Sequence, residues 1–296
     1  MKPPPVLDYE GSNYQREFWE EGGRAYEDRV EAVALGRLLP RSGGHLLEVG
    51  AGAGRHTARY AGFDRVTLLD YSRSQLEQAR RRLGTGNRYV FVVADVYRMP
   101  FPEGVFDGAT MIRTLHHMAE PERALTEVRS ALRPGACLIL EYPNKRNTKS
   151  IIRWWLRRQP WDPFDPAPIE FAHLNFDFHP RAVRAWLQSA RFEIERQLTV
   201  SHFRTGILKR ILPLSVMVAM DSAVQLTGDL WQLTPSVFVR ARAVGSPSVP
   251  AIGAWRCPEC RAAAMEDIPQ GVRCRNCGRI WGLREGIWDF REPQSG

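Results

Sequence analysis

Short apolar runs alternate with amphipathic segments along the first half of the chain. The apolar runs suit buried strands, and the segments between them carry the apolar spacing of helices. This pattern predicts strands at 45–49, 66–69, 89–94, 108–112 and 137–140, and helices at 28–39, 55–60, 74–83 and 122–132. Because strands and helices alternate, we expect an α/β domain in which helices cover both faces of a largely parallel sheet.

The second half of the chain is less regular. A stretch rich in proline and aromatic residues, 143–179, follows the fifth predicted strand, and a mostly helical stretch, 203–234, lies further on. Between and after them the pattern predicts a helix at 180–190 and strands at 192–200 and 236–244. The sheet then has seven strands, and the two irregular stretches are insertions that we expect to form a lid.

Both ends of the chain differ from the α/β pattern. The first residues are aromatic and charged, and two prolines and two glycines near the other end are typical of a linker. The residues after that linker are too few to form a hydrophobic core unaided. We therefore predict an N-terminal lid segment at 1–30, an α/β domain at 31–244, a linker at 245–254 and a small module at 255–296.

Composition narrows the class of protein only slightly. The chain has 296 residues, of which 44% are hydrophobic, and a net charge of +8. No apolar run reaches the roughly 18 residues that span a bilayer, and the proline-containing start lacks the apolar core of a secretory signal. We therefore expect a cytoplasmic protein without a transmembrane segment, and the positive charge allows an anionic partner such as RNA or a lipid surface.

A glycine-rich turn and three acidic residues fall at the predicted carboxyl ends of successive strands. Glu48 precedes the turn Gly50-Ala51-Gly52-Ala53-Gly54, and Asp70 and Asp95 end the next two strands. Ligands of such sheets bind at this edge. The turn departs from the dinucleotide motif G-x-G-x-x-G because Arg55 replaces its third glycine. Glu48 would repel a pyrophosphate but suits a ligand with an amino group and a sulfonium, while Asp70 and Asp95 suit ribose hydroxyls and an adenine amino group.

Taken singly, each of these features has a structural explanation, since glycine turns serve packing and acids cap strand ends. Together they resemble the class I S-adenosylmethionine-dependent methyltransferases, especially the quinone-biosynthesis branch, which have a Rossmann-like fold. The similar stretches are LLEVGAGAG (46–54), LDYS (69–72), ADV (94–96), FD (106–107), LHH (115–117) and LRPG (132–135). The resemblance is strong over 27–142 and weak over 180–244.

The resemblance implies a role for each matching position. The turn and Glu48 lie along the methionine part of the cofactor, Asp70 holds the ribose, Tyr71 packs on the adenine and Asp95 binds its amino group. Arg113 borders the cofactor, and Arg24 pairs with the methionine carboxylate or is a solvated surface residue. The cofactor-binding residues are thus predicted to be Glu48, Gly50, Ala51, Gly52, Gly54, Asp70, Tyr71, Asp95, Val96, Arg113 and Arg24.

Methyl transfer depends mainly on the alignment of the acceptor atom with the methyl group and does not require a set of catalytic side chains. A base is needed only where the acceptor atom carries a proton. The loop after the fourth strand lacks both the Asn/Asp-Pro-Pro-aromatic motif of base-amine methylation and the cysteine of cytosine-carbon methylation. Candidate catalytic groups are His173, His179 and Tyr142, near the aromatic stretch 171–178, although each histidine also suits plain loop hydrogen bonding.

The stretch 145–158 carries six basic residues, no acid and two tryptophans. Such an amphipathic segment suits a membrane surface or a nucleic acid. It also suits a lid helix whose tryptophans pack inward while its arginines are solvated. Together with the apolar stretch 207–220, it favours a hydrophobic or lipid-like acceptor and allows peripheral membrane contact.

Four of the five cysteines form the pattern C-x2-C-x13-C-x2-C in the last part of the chain. Cys257, Cys260, Cys274 and Cys277 are predicted to hold a structural zinc ion, since four thiolates complete a tetrahedral site. The residues that follow, 278–290, resemble the zinc-ribbon activator subunit of tRNA, rRNA and release-factor methyltransferases. Between 255 and 291, however, seven arginines face five acids, so a stabilising or gating role is as consistent as RNA binding.

The sequence therefore favours a methyltransferase that transfers a methyl group from S-adenosylmethionine to a small or lipid-like acceptor by in-line displacement. Two alternatives stay open. One is a methyltransferase acting on RNA or on a translation-associated protein, and the other is a catalytically silent binding protein with the same fold.

Overall fold

The computed structural model describes residues 4–245 and 253–294. The described helices are α1 (Ala25–Leu38), α2 (Arg73–Leu83), α3 (Pro121–Ala131), α4 (Thr148–Trp155), α5 (Pro180–Ser189), α6 (Gly206–Ile211) and α7 (Leu214–Val224). The strands are β1 (Gly43–Val49), β2 (Phe63–Asp70), β3 (Tyr89–Val93), β4 (Phe106–Met111), β5 (Leu132–Pro143), β6 (Ile169–Ala172), β7 (Asn175–Asp177), β8 (Phe192–Val200), β9 (Ser236–Ala243), β10 (Met265–Ile268), β11 (Gly271–Cys274), β12 (Ile280–Arg284) and β13 (Ile287–Gln294). A π-helix, Gln15–Glu20, precedes α1.

One large mixed sheet organises the molecule, with the strand order β10-β11-β12-β13-β3-β2-β1-β4-β5-β9-β8. Strands β3, β2, β1, β4 and β5 are parallel, and β9 and β8 complete that side in antiparallel pairing. The chain order reverses between β1 and β4, which both pair with their neighbours in parallel. In open parallel sheets this switch point is where a crevice forms for ligands. The α/β class and the seven central strands are as expected from the sequence.

The segment after β1 differs from the prediction, because the helix expected at 55–60 does not form. The chain forms turns there and only one short 3-10 turn, Thr57–Arg59. Long-range hydrogen bonds account for the difference: Thr57 donates to Glu48 across 2.6 Å, and Arg59 donates to Asp28. Tertiary contacts of this kind override a weak local preference for helix.

The sheet is also larger than the predicted seven strands, because the C-terminal module extends it. Strand β13 pairs in parallel with β3, with Ile287 opposite Phe91 and Asp289 opposite Val93. Four antiparallel strands thereby cover the edge of β3, which would otherwise expose unpaired backbone groups. Most of the predicted linker, residues 246–252, lies outside the described residues.

Regular structure is present in both predicted insertions. The first contains α4 and the isolated hairpin β6–β7, and the second contains α6 and α7. Helix α7 packs on α1, where the hydroxyl of Tyr26 donates to Asp221 across 2.6 Å. Within the described ranges, no helix combines the length and the apolar character needed to cross a membrane.

Candidate active site

The glycine turn after β1 is shaped by a close approach of the chain to β4 and its following loop. Gly50 has a φ of +68°, and a Cβ atom there would lie 2.2 Å from the hydroxyl of Thr114. Gly52 has a φ of +53°, and its N–H donates to Asp70 across 2.7 Å. Both positions need glycine for backbone reasons, and the second links the turn directly to the carboxylate at the end of β2.

Glu48 is buried at the end of β1 beneath the turn. Its two carboxylate oxygens accept hydrogen bonds from the hydroxyls of Thr57 at 2.6 Å and Tyr60 at 3.2 Å. Burial raises the pKa of Glu48 to about 7, against the lowering effect of these two donors. The carboxyl group therefore changes its charge near neutral pH, and a cationic group placed beside it would favour the ionised form.

The two later acids lie at the ends of β2 and β3, as the sequence predicted from strand order. Asp70 accepts backbone hydrogen bonds from Gly52 and Ser72, and burial raises its pKa to about 6. Asp95 accepts from the N–H of Tyr97 at 2.9 Å, and burial raises its pKa as well. Since a carboxylate offers about four acceptor positions, each side chain retains capacity to bind a ligand hydroxyl or amino group.

Tyr71 and Val96 follow these acids and lie next to the C-terminal module. Val96 is buried, whereas Tyr71 is half-buried. The guanidinium carbon of Arg291, on β13, lies 5.5 Å from the centroid of the Tyr71 ring. Tyr71 and Arg291 line one cavity of about 530 Å³ together with Asp8. The end of the site predicted to hold adenine is therefore bordered by the module that β13 brings to the sheet.

A buried acid, Glu31 of α1, organises the other end of the site. It accepts from Arg113 at 2.6 and 2.8 Å and from Arg55 at 2.8 Å. These cations hold the pKa of Glu31 well below its usual range despite its burial. Arg113 has a φ of +56°, which is rare for a residue with a side chain. Its N–H donates to Glu141, and that bond helps to fix the unusual backbone.

Arg24 and Arg55 differ in their access to the glycine turn. Arg24 pairs with Glu27 and lies over the ring of Phe18, 4.4 Å from its centroid. Arg55 lines the small cavity beside the turn, as does Arg113, while Arg24 is absent from its lining. The sequence showed Arg55 only as the residue that takes the place of a glycine, because its partner Glu31 lies on a separate helix.

The N-terminal segment lies against the glycine turn. Trp19 is buried, and the guanidinium of Arg55 lies 3.4 Å from the centroid of its ring. The cavity left between this segment and the turn measures about 70 Å³. Pockets for drug-sized ligands measure roughly 300 Å³ or more, so this cavity alone is too small for a nucleoside-bearing ligand.

The three catalytic candidates lie in three different environments. His173 is exposed at the turn of the β6–β7 hairpin. His179 is buried and caps α5, where its Nδ1 accepts from the N–H of Arg181 at 3.1 Å. Burial lowers the pKa of His179 to about 4. Tyr142 is buried in the hydrophobic core that includes Phe178. The structure thus gives His179 a capping role and Tyr142 a packing role, and it does not bring the three together.

Sequence reasoning missed a fourth group, Asp177, at the end of β7. Burial raises its pKa to about 6; the charge of Glu141 adds to this shift, and that of Arg204 opposes it. No side-chain hydrogen bond or ion pair of Asp177 is found among residues 4–245 and 253–294. The signal available in the sequence was that Asp177 is the only acid in the aromatic stretch 171–178.

The four clustered cysteines form a compact group in the C-terminal module. Their sulfur atoms all lie within 4.8 Å of one another. The separation is 3.7 Å for Cys257 and Cys277 and 3.5 Å for Cys260 and Cys274. Four thiolates bonded to one zinc ion at about 2.3 Å in tetrahedral geometry lie about 3.8 Å apart. The cluster fits that ion.

Comparison with known proteins finds similarity to methyltransferases in the first half of the chain. Residues 47–140 match the family model described as Methyltransferase domain. The O-methyltransferase cnsE of Penicillium expansum is 36% identical over 133 residues, which cover 42% of this chain and 48% of that protein. The demethylmenaquinone methyltransferase of Clavibacter sepedonicus is 34% identical, covering 38% of this chain and 47% of that protein. The chain spans about half the length of the curated relatives it matches.

Solved structures agree at the level of the fold. A complex of the Haloferax volcanii Trm112 methyltransferase activator with a candidate methyltransferase aligns with a TM-score of 0.55 at 15% identity, covering 78% of this chain and 96% of that chain. An S-adenosylmethionine-dependent methyltransferase from Mesorhizobium loti gives a TM-score of 0.54 at 20% identity, covering 74% and 100%. Residues 47–140 thus match a methyltransferase domain, and the solved structures share the α/β fold of the chain.

Proposed function

We propose that this protein transfers a methyl group from S-adenosylmethionine to a small or lipid-like acceptor by in-line displacement. The observation that carries the proposal is the set of three acids, Glu48, Asp70 and Asp95, at the ends of three adjacent parallel strands around one glycine turn. The relatives named as an O-methyltransferase and a demethylmenaquinone methyltransferase support a small-molecule acceptor.

Within this proposal the predicted cofactor residues other than Arg24 keep their assigned roles. The turn from Gly50 to Gly54 and Glu48 bind the methionine part, Asp70 the ribose, and Tyr71, Asp95 and Val96 the adenine. The cations that line the cavity, Arg55 and Arg113, are better placed than Arg24 to bind the methionine carboxylate. S-adenosylmethionine supplies the activated methyl group, so these residues need only bind and orient it.

We also propose that Asp177 acts as a base where the acceptor carries a proton. Phe178, the next residue in the chain, donates its backbone N–H to Pro143 at the end of β5 across 3.0 Å, and Glu141 of β5 accepts from the N–H of Arg113 in the loop after β4. The group therefore lies on the side of the sheet edge where β4 and β5 end. A carboxylate with a pKa near 6 is ionised at neutral pH and can take the proton of a nearby hydroxyl as its oxygen is methylated.

For the C-terminal module we propose one structural zinc ion held by Cys257, Cys260, Cys274 and Cys277. Two of these cysteines, Cys257 and Cys274, are part of the main hydrophobic core. Through β13 the module supports β3, the strand that Asp95 follows. These contacts support a module that stabilises the fold and borders the cofactor site.

The alternative acceptor is RNA or a translation-associated protein. The aligned structure that contains a methyltransferase activator favours this reading, as does the ribbon-like cysteine cluster. An assay of S-adenosylhomocysteine formation with demethylmenaquinol, simple phenols and bulk tRNA separates the two acceptor classes. Turnover with tRNA alone would contradict the small-acceptor proposal.

Calorimetric titration with S-adenosylmethionine tests the cofactor assignment. We expect Asp70→Ala to weaken binding by about ten- to hundredfold, because it removes charge-assisted hydrogen bonds to the ligand. Asp64→Ala is the matched control, since Asp64 is exposed at the other end of the same strand. Unchanged affinity in Asp70→Ala, or no binding by the unaltered chain, would contradict the assignment.

A further inference from the structure

Helix α4 and the residues after it are exposed on nearly all sides. Ser150 is the one buried residue of the helix, and residues 152–158 are all exposed. Trp155 is 68% exposed and Leu156 is 57% exposed. The interpretation of α4 as a lid helix with inward-packed tryptophans is therefore wrong. Large apolar side chains on a solvent-facing helix lack the hydrophobic stabilisation that burial gives.

Two further segments place apolar side chains beside α4. The backbone of Thr148, at the start of α4, donates to Leu233 across 2.9 Å, which brings the exposed Trp231 to this face. Trp231 and Leu233 line a cleft of about 660 Å³ with residues of α4. Helix α6 begins at the rim of the same cleft, and its Ile207 and Ile211 are 71% and 70% exposed.

The cations of this surface are as distinctive as its apolar groups. Lys149, Arg153 and Arg158 line the same cleft, Arg157 directly precedes Arg158, and Arg210 lies on α6. Side-chain ion pairs are absent for all five in the part of the chain that the structure describes. Elsewhere arginines such as Arg55, Arg113 and Arg261 are paired with acids. The surface therefore presents unneutralised positive charge around exposed apolar side chains.

We propose that this surface, formed by α4, α6 and the 230–233 loop, binds an anionic lipid bilayer. Lysine and arginine side chains attract anionic headgroups, and tryptophan, isoleucine and leucine side chains recover apolar burial at the acyl boundary. Charge alone would also suit RNA. The exposed aliphatic side chains of Ile207, Ile211 and Leu156 favour the bilayer, because nucleic acids offer aliphatic groups no comparable burial.

The proposal is tested by co-sedimentation of the full chain with vesicles. Vesicles of phosphatidylcholine containing about one third phosphatidylglycerol are compared with vesicles of phosphatidylcholine alone. We expect strong binding to the first and little to the second. The double variant Arg153→Gln/Arg157→Gln should weaken partition about thirtyfold, since each basic residue contributes roughly 1 kcal/mol near an anionic surface. The variant Trp155→Ala/Leu156→Ala should weaken it by about tenfold or more.

Matched control variants distinguish binding by this surface from a general effect of the protein's positive charge. Arg273→Gln/Arg279→Gln removes the same charge from exposed positions of the C-terminal module, and Leu283→Ala removes an exposed apolar side chain there. Both should bind vesicles as the unaltered chain does. Equal losses in these controls, equal binding to neutral vesicles, or full binding by the Trp155/Leu156 variant would each overturn the proposal. So would tRNA binding that Arg153→Gln/Arg157→Gln abolishes while vesicles are not bound. Circular dichroism melting confirms that each variant is folded.

Discussion

The guanidinium of Arg291 lies over the ring of Tyr71, 5.5 Å from its centroid. The two residues are 220 positions apart in the chain, and they meet because β13 pairs with β3 at the edge of the sheet. Arg291 also lies 3.9 Å from Glu10, which accepts hydrogen bonds from the backbone at the start of α2. The C-terminal module thus contacts both the aromatic ring and the N-terminal segment that border the proposed adenine site.

We expect Arg291→Gln to weaken S-adenosylmethionine binding by about twofold to fivefold, because a cation–π contact at an exposed site contributes roughly 0.5–1 kcal/mol. The thermal midpoint should stay nearly unchanged. Arg279→Gln, on an exposed turn of the same module, serves as the control in the same calorimetric titration. If both variants bind the cofactor like the unaltered chain, the contact with Tyr71 does not support the site.

Removing the proposed zinc ion should affect more than the module itself. Protein purified without chelator should contain about one zinc per chain, and Cys277→Ser should lower both zinc content and the thermal midpoint, because metal binding supplies folding free energy. Cofactor affinity should fall with it, since β13 supports β3. Cys137→Ser, a buried cysteine outside the cluster, is the control for zinc content. A zinc-free chain with unchanged stability would contradict the structural role.

The positions of the central strands along the chain and the acids at their ends could be predicted from the sequence because both depend on local patterns. Buried parallel strands are short apolar runs, and the residue after each run falls at the same edge of the sheet. Asp70 and Asp95 lie at their predicted strand ends for this reason. The cysteine spacing is equally local, since each pair needs only one tight turn to bring two sulfur atoms together.

Long-range contacts could not be read in this way. The pairing of Arg55 and Arg113 with Glu31 joins three elements, and no spacing in the sequence announces it. The parallel pairing of β13 with β3 joins segments almost 200 residues apart, and no local pattern indicated that the module joins the sheet. His179 was a candidate base on residue type, but its position before Pro180 makes it the N-cap of α5.

The affinity for S-adenosylmethionine should depend on pH through Glu48. Its pKa is about 7 in the free protein, and a positively charged ligand beside it favours the ionised form and lowers that value. Binding below pH 7 therefore releases a proton, so affinity should rise with pH and level off above about 7, with at most a tenfold change per pH unit. Asp70, with a pKa of about 6, adds a second step at lower pH.

Calorimetric titrations between pH 5.5 and 8 measure how the affinity depends on pH. The variant Glu48→Gln shows which part of this dependence, at the higher pH values, comes from Glu48. We expect Glu48→Gln to bind more weakly at pH 8 and to lose the change between pH 6.5 and 7.5, while the step assigned to Asp70 persists. An affinity that is flat across this range in the unaltered chain would show that no cationic group of the ligand lies near Glu48.

Replacing Asp177 should affect turnover far more than cofactor binding. With an acceptor that carries a proton, Asp177→Asn should lower kcat by about 10²- to 10⁴-fold, the usual contribution of a positioned base. In the unaltered chain kcat/KM should rise as pH increases through about 6, because the base must be ionised, and Asp177→Asn should lose this rise. Glu170→Gln, on the paired strand β6, is the control. Full activity in Asp177→Asn would show that Asp177 is not the base that accepts the proton of the acceptor.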